Sequence, residues 1–257
     1  MDILLYIGAG ALVGLIVGIT GIGGGALMTP LLLMFGFPPH IAVGTDLMYA
    51  ALTKAGGAIS HHRQGHVEWS LVKLLAWGSL PAALLTGLML KSLFQESEDY
   101  AHLLSNALGI MLLLTALVII GRNRLQALAQ RYSNGSLSKW RGPATLIMGV
   151  FLGVFVTLSS VGAGAIGTAI LMLLYPLLRS TSVVGTDIAH AVPLTLAAGL
   201  IHMYLGNVDF YLLGALLIGS LPAIHLGSLL SRKVPEPVLR PLLATILFGI
   251  GARYAFF

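Results

Sequence analysis

Ten apolar segments follow one another along almost the whole chain, separated by short polar loops. They are interpreted as helices because they are continuously apolar, whereas strands of a membrane barrel alternate apolar and polar residues. With 57% hydrophobic and 9% charged residues, the 257-residue chain lacks the polar surface of a water-soluble domain. We therefore expect an all-α, polytopic helical membrane protein. The predicted segments are Ile3–Ile19, Ala26–Phe37, Ile41–Ser60, Ser70–Leu90, His102–Ile120, Pro143–Ser159, Ala165–Leu178, Val183–Leu205, Phe210–Leu230 and Val238–Tyr254.

An internal repeat divides the chain into two similar halves. The tetrapeptide Val43–Asp46 returns as Val184–Asp187, and Gly78–Ala82 returns as Gly219–Ala223, both at an offset of 141 residues (187 − 46). Two matching polar-containing peptides in one register indicate duplication rather than apolar bias. The sequence predicts a first transmembrane repeat over 1–121, a basic cytoplasmic linker over 122–141 and a second repeat over 142–257.

The basic linker predicts how the two halves lie in the cell (inner) membrane. Short loops rich in Lys and Arg stay in the cytoplasm, so the acidic loop around Glu96, Glu98 and Asp99 falls outside. Each half has five segments, or three spans if the glycine-broken pairs are re-entrant hairpins. Both numbers are odd, so the second half is expected to have the opposite orientation, with both termini outside.

Glycine clusters precede the two short segments of the repeat. Gly21–Gly25 comes before Ala26–Phe37, and Gly162–Gly164 comes before Ala165–Leu178. Opened helix ends leave N–H groups that lipid cannot satisfy, and helix N-termini attract anions. Inverted repeats with broken helices are also typical of secondary transporters. We therefore predict a midplane anion site that includes Gly23, Gly24, Gly25 and Gly164. The alternative is that these glycines only permit close helix packing.

A few polar residues within the apolar segments are further site candidates, because ionisable groups are costly inside a membrane. Lys54 lies about ten residues into its segment, where it would bind an anion, pair with Asp46 or Asp187, or extend its ammonium to a membrane interface. Asp46 and Asp187 are expected either to couple transport to a proton or cation, or to serve as helix N-caps. The hydroxyl-bearing candidates for substrate contact are Thr45, Ser159, Ser160 and Thr186.

Other functional classes have no support in the sequence. Cysteine is absent, and the run His61–His66 lacks companion ligands, so we expect no metal or other cofactor. No H-E-x-x-H motif, nucleophile elbow or Walker loop is present, so no enzymatic activity is expected. The net charge of +5 comes from short loops between membrane segments, which argues against nucleic-acid binding.

Taken in order, the motifs resemble the TauE/SafE family of sulfite and organosulfonate exporters. The resemblance covers essentially the whole chain and extends to the counterparts in the second half. It implies export of sulfite or a similar small sulfur-containing anion through a duplicated transmembrane fold. Many members carry serine where this chain has Asp46 and Asp187. The motifs that carry the resemblance are Gly21–Gly25, Val43–Asp46, Lys54, His61–Gly65 and Gly78–Pro81.

Three functions stay open at this point. The first is export of a small anion by alternating access about a midplane site, in the lipid bilayer, with a homodimer as one option for assembly. The second is a proton-coupled cation or metal transporter that uses Asp46 and Asp187. The third is a non-transporting membrane scaffold or assembly factor, which predicts no polar cavity at the midplane.

Overall fold

The computed structural model describes residues 3–20, 25–94, 99–131, 140–230 and 236–256. Within these ranges the chain forms ten α-helices and no β-strand, which confirms the all-α prediction. The helices are α1 (Ile3–Thr20), α2 (Gly25–Met34), α3 (Pro39–Arg63), α4 (Trp69–Leu93), α5 (Ala101–Arg131), α6 (Arg141–Ser159), α7 (Ala165–Leu174), α8 (Ser180–Tyr204), α9 (Phe210–Leu230) and α10 (Glu236–Phe256).

Five of these helices are long and apolar enough to cross a membrane, which takes about 20 residues. They are α4, the Ala101–Arg122 part of α5, α6, α8 and α9. Large apolar side chains point away from the bundle along them, as Trp77 and Leu229 do with 76% and 67% of their surface exposed. Such exposure suits a lipid surrounding better than water. The protein is a multi-pass membrane protein.

Helix ends differ from the predicted bounds where local chemistry stops or extends a helix. The short helices α2 and α7 contain ten residues each, so each is about 15 Å long, half of a ~30 Å hydrocarbon layer. Gly36 (φ 86°) follows the end of α2, and Pro176 keeps Tyr175 out of helical geometry at the end of α7. In contrast, α5 continues to Arg131, so residues 122–131 of the predicted linker are helical.

Four helix pairs make the most extensive contacts, and each joins a helix before the linker to one after it. The pairs are α1 with α9, α4 with α6, α3 with α8, and α5 with α10. If every helix is exchanged for its counterpart in the other repeat (α1 for α6, α2 for α7 and so on), the same four pairs result. The repeat is therefore present in the packing as well as in the sequence.

Glycines allow the backbones of the outer pairs to touch. A Cβ at Gly10 of α1 would collide with the backbone of Leu216 on α9, and a Cβ at Gly14 would collide with that of Ser220. Because these contacts advance in the same direction along both helices, α1 and α9 run parallel. Gly153 of α6 packs in the same way on α4. Small residues at such positions are how membrane helices approach each other closely.

The central pair, α3 and α8, runs antiparallel. Gly199 near the end of α8 packs on Met48 of α3, whereas Gly57 near the end of α3 faces Ile188 of α8. Because α3 and α8 are repeat counterparts that run antiparallel, equivalent positions of the two halves lie on either side of the middle of this helix pair. Lys54 of α3 acts electrostatically on both Asp46 and Asp187.

Candidate substrate site at the centre of the bundle

Three ionisable side chains of α3 and α8 are buried inside the bundle. Asp46 and Asp187 are fully buried, and Lys54 retains 8% exposure. Both aspartates lie about two helical turns inside α3 and α8, so the N-cap interpretation of these residues is wrong. A buried charge is costly unless it is paired or neutralised. These three residues therefore define the candidate site.

Lys54 reaches from the first half to the glycine break of the second half. Its Nζ donates a hydrogen bond to the backbone oxygen of Ala163, at 3.3 Å. The ammonium also acts electrostatically on both Asp46 and Asp187. Its repeat counterpart, Thr195, instead bonds the carbonyl oxygen of Ala191 in its own helix, at 2.8 Å. The predicted lysine and the predicted break are thus in direct contact.

The second break is an irregular segment between α6 and α7. Ser160 has a φ of 58°, a left-handed conformation that is uncommon for a residue other than glycine. Gly162 and Gly164 follow with φ values of 125° and 128°. Within the described part of the chain, the buried Ser160 hydroxyl has no hydrogen-bond partner, although it is close enough to act on Asp46. The break therefore presents an unused hydroxyl to the site.

The Asp187 carboxylate lies against the first turn of α7. A Cβ at Gly167 would overlap its Oδ1 atom, so only glycine admits the carboxylate there. Among the described residues, neither Asp187 oxygen has a hydrogen-bond partner. The Gly164 amide and the Lys54 ammonium act on its charge without meeting hydrogen-bond geometry. The positive end of α7 and Lys54 thus both face this carboxylate.

Asp46 is held differently. Thr29 of α2 donates a hydrogen bond from its hydroxyl to Asp46 Oδ2, at 2.5 Å. The other carboxylate oxygen, Oδ1, has no partner within the described ranges. Sequence reasoning did not single out Thr29, although a polar residue in a short apolar helix was a usable signal. Its repeat counterpart is Ile170, so this contact belongs to the first half alone.

Three predicted hydroxyls have structural partners away from the three ionisable residues. Thr45 Oγ1 accepts a hydrogen bond from the Asp209 amide at 3.1 Å, and Thr186 Oγ1 accepts one from the Glu68 amide at 3.0 Å. These equivalent bonds fasten the loops that precede α9 and α4. The Ser159 hydroxyl donates to the Phe155 carbonyl oxygen in its own helix, at 2.6 Å. A role of these residues in substrate binding stays a prediction.

A buried polar residue lies one turn after each aspartate. His190, one turn after Asp187, has its Nε2 atom 2.8 Å from the Ser79 hydroxyl. The repeat counterparts are Tyr49 and Ser220, which are also buried. The same offset that relates the aspartates relates these residues, so the repeat alone would have identified all four.

The first glycine break is only partly described. Gly23 and Gly24 lie outside the described residues, and Gly25 is the first residue of α2. Convergence of two helix N-termini on one anion therefore stays a prediction.

A cavity of about 340 Å³ lies at the opposite end of α7 from the break. Arg179 and Gln126 contribute polar groups to its lining, together with Tyr175. Gln126 belongs to the helical extension of α5 into the predicted linker. The cavity is separated from Gly164 by the ten residues of α7, about 15 Å.

Comparison with known proteins identifies the family. Relatives include the probable membrane transporter proteins YjnA and YdhB of Bacillus subtilis (strain 168). YjnA is 39% identical over 246 residues, covering 95% of this chain and 96% of its own, and YdhB is 29% identical over 230 residues, covering 89% and 90%. The probable membrane transporter protein MJ0441 of Methanocaldococcus jannaschii is 26% identical over 265 residues, covering 96% and 93%. No solved structure matches the chain. The model of the family "Sulfite exporter TauE/SafE" matches residues 6–254, and this membrane transporter therefore belongs to the TauE/SafE family.

Proposed function

We propose that the protein is a secondary transporter that exports a small sulfur-containing oxyanion, sulfite or an organosulfonate. The observation that carries the proposal is the buried Lys54 ammonium, 3.3 Å from the Ala163 oxygen inside the break between α6 and α7. There it supplies a counter-charge for an anion, while the Ser160 hydroxyl and the N-terminus of α7 supply hydrogen-bond donors. Membership of the TauE/SafE family supports a sulfur oxyanion as the substrate class.

The packing favours two inverted repeats that work by alternating access. The antiparallel contact of α3 with α8 places equivalent residues of the two halves on either side of the middle of this pair, and Lys54 acts on both aspartates. The basic linker supports a cytoplasmic position for residues 122–141, with both termini outside. In this arrangement the repeats 1–121 and 142–257 open the site to each side in turn.

Two alternatives are less well supported. Buried Asp46 and Asp187 would suit a proton-coupled cation or metal transporter. However, the Lys54 ammonium acts on both carboxylates and would repel a cation at the same place. A membrane scaffold has no need of buried ionisable groups at the centre of the bundle, and such groups are costly there.

The test is transport by the purified protein in proteoliposomes. We expect saturable movement of labelled sulfite and methanesulfonate, accelerated when the same anion is present on the opposite side. Vesicles without protein provide the background rate, and labelled manganese and sodium ions are the competing substrates. Movement of either cation without any movement of the anions would refute the proposal.

A further inference from the structure

The two halves differ at the turn where each short helix begins. Asp187 lies against Gly167 in the first turn of α7, where a Cβ would overlap its Oδ1 atom. The repeat counterpart of Gly167 is Ala26 of α2, which carries a methyl group where Gly167 has a hydrogen atom. Asp46 instead accepts a hydrogen bond from Thr29. Only the second half can therefore hold its carboxylate against the N-terminal turn of a short helix.

This place has the chemistry of an anion site, and a protein carboxylate is already in it. The site combines the N-terminus of a ten-residue helix with the Lys54 ammonium, which contacts the break at the Ala163 oxygen. Asp187 is fully buried, and neither of its oxygens has a hydrogen-bond partner among the described residues. A carboxylate and a sulfonate are both oxyanions, and two such charges in contact repel each other strongly in a medium of low polarity.

We propose that the Asp187 carboxylate occupies the place of the transported anion, and that Asp187 leaves this place to the anion when it binds a proton. One proton then moves with each anion. This inference rests on the proposed function and adds the identity of the coupled ion. The proton adds to one carboxylate oxygen and gives the neutral acid, which no longer competes for the α7 N-terminus. On the other side of the membrane the anion leaves, Asp187 releases the proton, and the carboxylate returns to α7.

The exchange keeps the charge of the site constant. With the site empty, the Lys54 ammonium is balanced by the Asp187 carboxylate. With the site loaded, it is balanced by the bound anion, because Asp187 is then neutral. Loading the site therefore adds no net charge to the low-dielectric interior, where an uncompensated charge is costly. A fixed neutral residue at position 187 would lose this balance in the empty site.

The groups that face Asp187 from neighbouring helices fit this role. From α3, Lys54 acts on Asp187, and Asp46 acts on Lys54. His61 of α3 lies beside Gly185, two residues before Asp187, and His190 lies one turn further along α8. The sequence of α7 has no ionisable residue, and that of α6 has only Arg141 at its first position. On α4, ionisable residues occur only towards the two ends of the helix, as Lys73 and Lys91. Asp187 is thus the carboxylate adjacent to α7.

The first experiment measures methanesulfonate transport against pH, because this probe keeps one negative charge where sulfite itself titrates. In the unmodified protein the rate should fall by about tenfold per pH unit above the titration range of Asp187, as expected for one bound proton. The Asp187→Asn protein should transport at a rate independent of pH and should not respond to an imposed proton gradient. Glu68→Gln, which removes an exposed carboxylate before α4 that caps no helix amide, should keep the original profile.

A second measurement uses the unmodified protein and so does not depend on the folding of a variant. Vesicles are loaded with methanesulfonate and a pH-sensitive dye, and diluted into buffer without the anion. Efflux should make the lumen more alkaline, with one proton lost per anion. Anion efflux without a change of luminal pH, or an Asp187→Asn protein with the original pH profile, would overturn the inference and leave anion transport standing. If the unmodified protein moves neither sulfite nor methanesulfonate, the proposed function fails and the inference fails with it.

Discussion

Replacing Lys54 by methionine removes the charge at the site and keeps a flexible side chain of similar length. An anion bound about 4 Å from the ammonium would be attracted by about 4 kcal/mol at the effective dielectric constant of about 20 that describes protein sites. Since about 1.4 kcal/mol corresponds to a tenfold change in affinity, the upper limit of the effect is about a thousandfold. Lys54 also acts on Asp46 and Asp187, which offset part of its attraction. We therefore expect Lys54→Met to weaken anion binding by at least about tenfold.

The assay is the concentration of methanesulfonate that gives half-maximal transport in proteoliposomes, with the amount of inserted protein measured in the same vesicles. Lys91→Met is the matched control, because Lys91 is an exposed lysine whose ammonium donates to the Tyr204 hydroxyl at the end of α8. It should leave the half-maximal concentration unchanged. A Lys54→Met protein that inserts normally and keeps its half-maximal concentration within about twofold of the original would refute this reasoning.

The remaining predictions concern packing and the α7 turn. Gly10→Val should destabilise the protein by about 1–3 kcal/mol, because a Cβ there would collide with the α9 backbone. Gly8→Val is the control, because a Cβ at Gly8 meets no atom within 4 Å. Thermal unfolding in detergent should give a lower midpoint for Gly10→Val, and equal midpoints would contradict the close contact of α1 with α9. Asn207→Leu should lower the free energy of unfolding by about 1–3 kcal/mol, because Asn207 donates to the Tyr100 hydroxyl at 2.7 Å and to His202 Nδ1 at 3.1 Å. An unchanged midpoint in the same assay would show that these bonds contribute little to stability. Gly167→Ala should lower the apparent affinity for methanesulfonate by about tenfold, because its methyl group takes the place of an oxyanion beside α7, and unchanged affinity would place the anion elsewhere.

Much of the fold could be predicted because its main determinants are local in the sequence. Continuous apolar runs predict the helices, and the constant offset between Asp46 and Asp187 predicts that the two halves share a plan. The ends of the short helices were also encoded locally, since Gly36 and Pro176 stop them. The helical extension of α5 was missed because its residues 122–131 are polar and do not resemble a membrane segment.

The site was predictable where burial itself is the signal and unpredictable where the signal is a distant partner. Lys54, Asp46 and Asp187 stand out because an ionisable residue in an apolar segment is costly. In contrast, Thr45 and Thr186 bond amides that lie 164 and 118 residues away in the chain. No local pattern carries that information. Thr29 did carry a local signal, as a polar residue in a short apolar helix, but its role is defined by its contact with Asp46.

The glycine contacts between α1 and α9 also affect how the protein is made. Translation delivers α1 at the start of the chain and α9 only after residue 210, so the packing face of α1 waits uncovered in the bilayer while most of the protein is synthesised. The face of α4 that receives α6 waits for a shorter time. A ribosome that releases the chain before α9 leaves a partly assembled bundle with an open small-residue surface, the kind of surface through which membrane helices pack against one another. The two halves synthesised as separate polypeptides should for the same reason accumulate together and be degraded when either is produced alone.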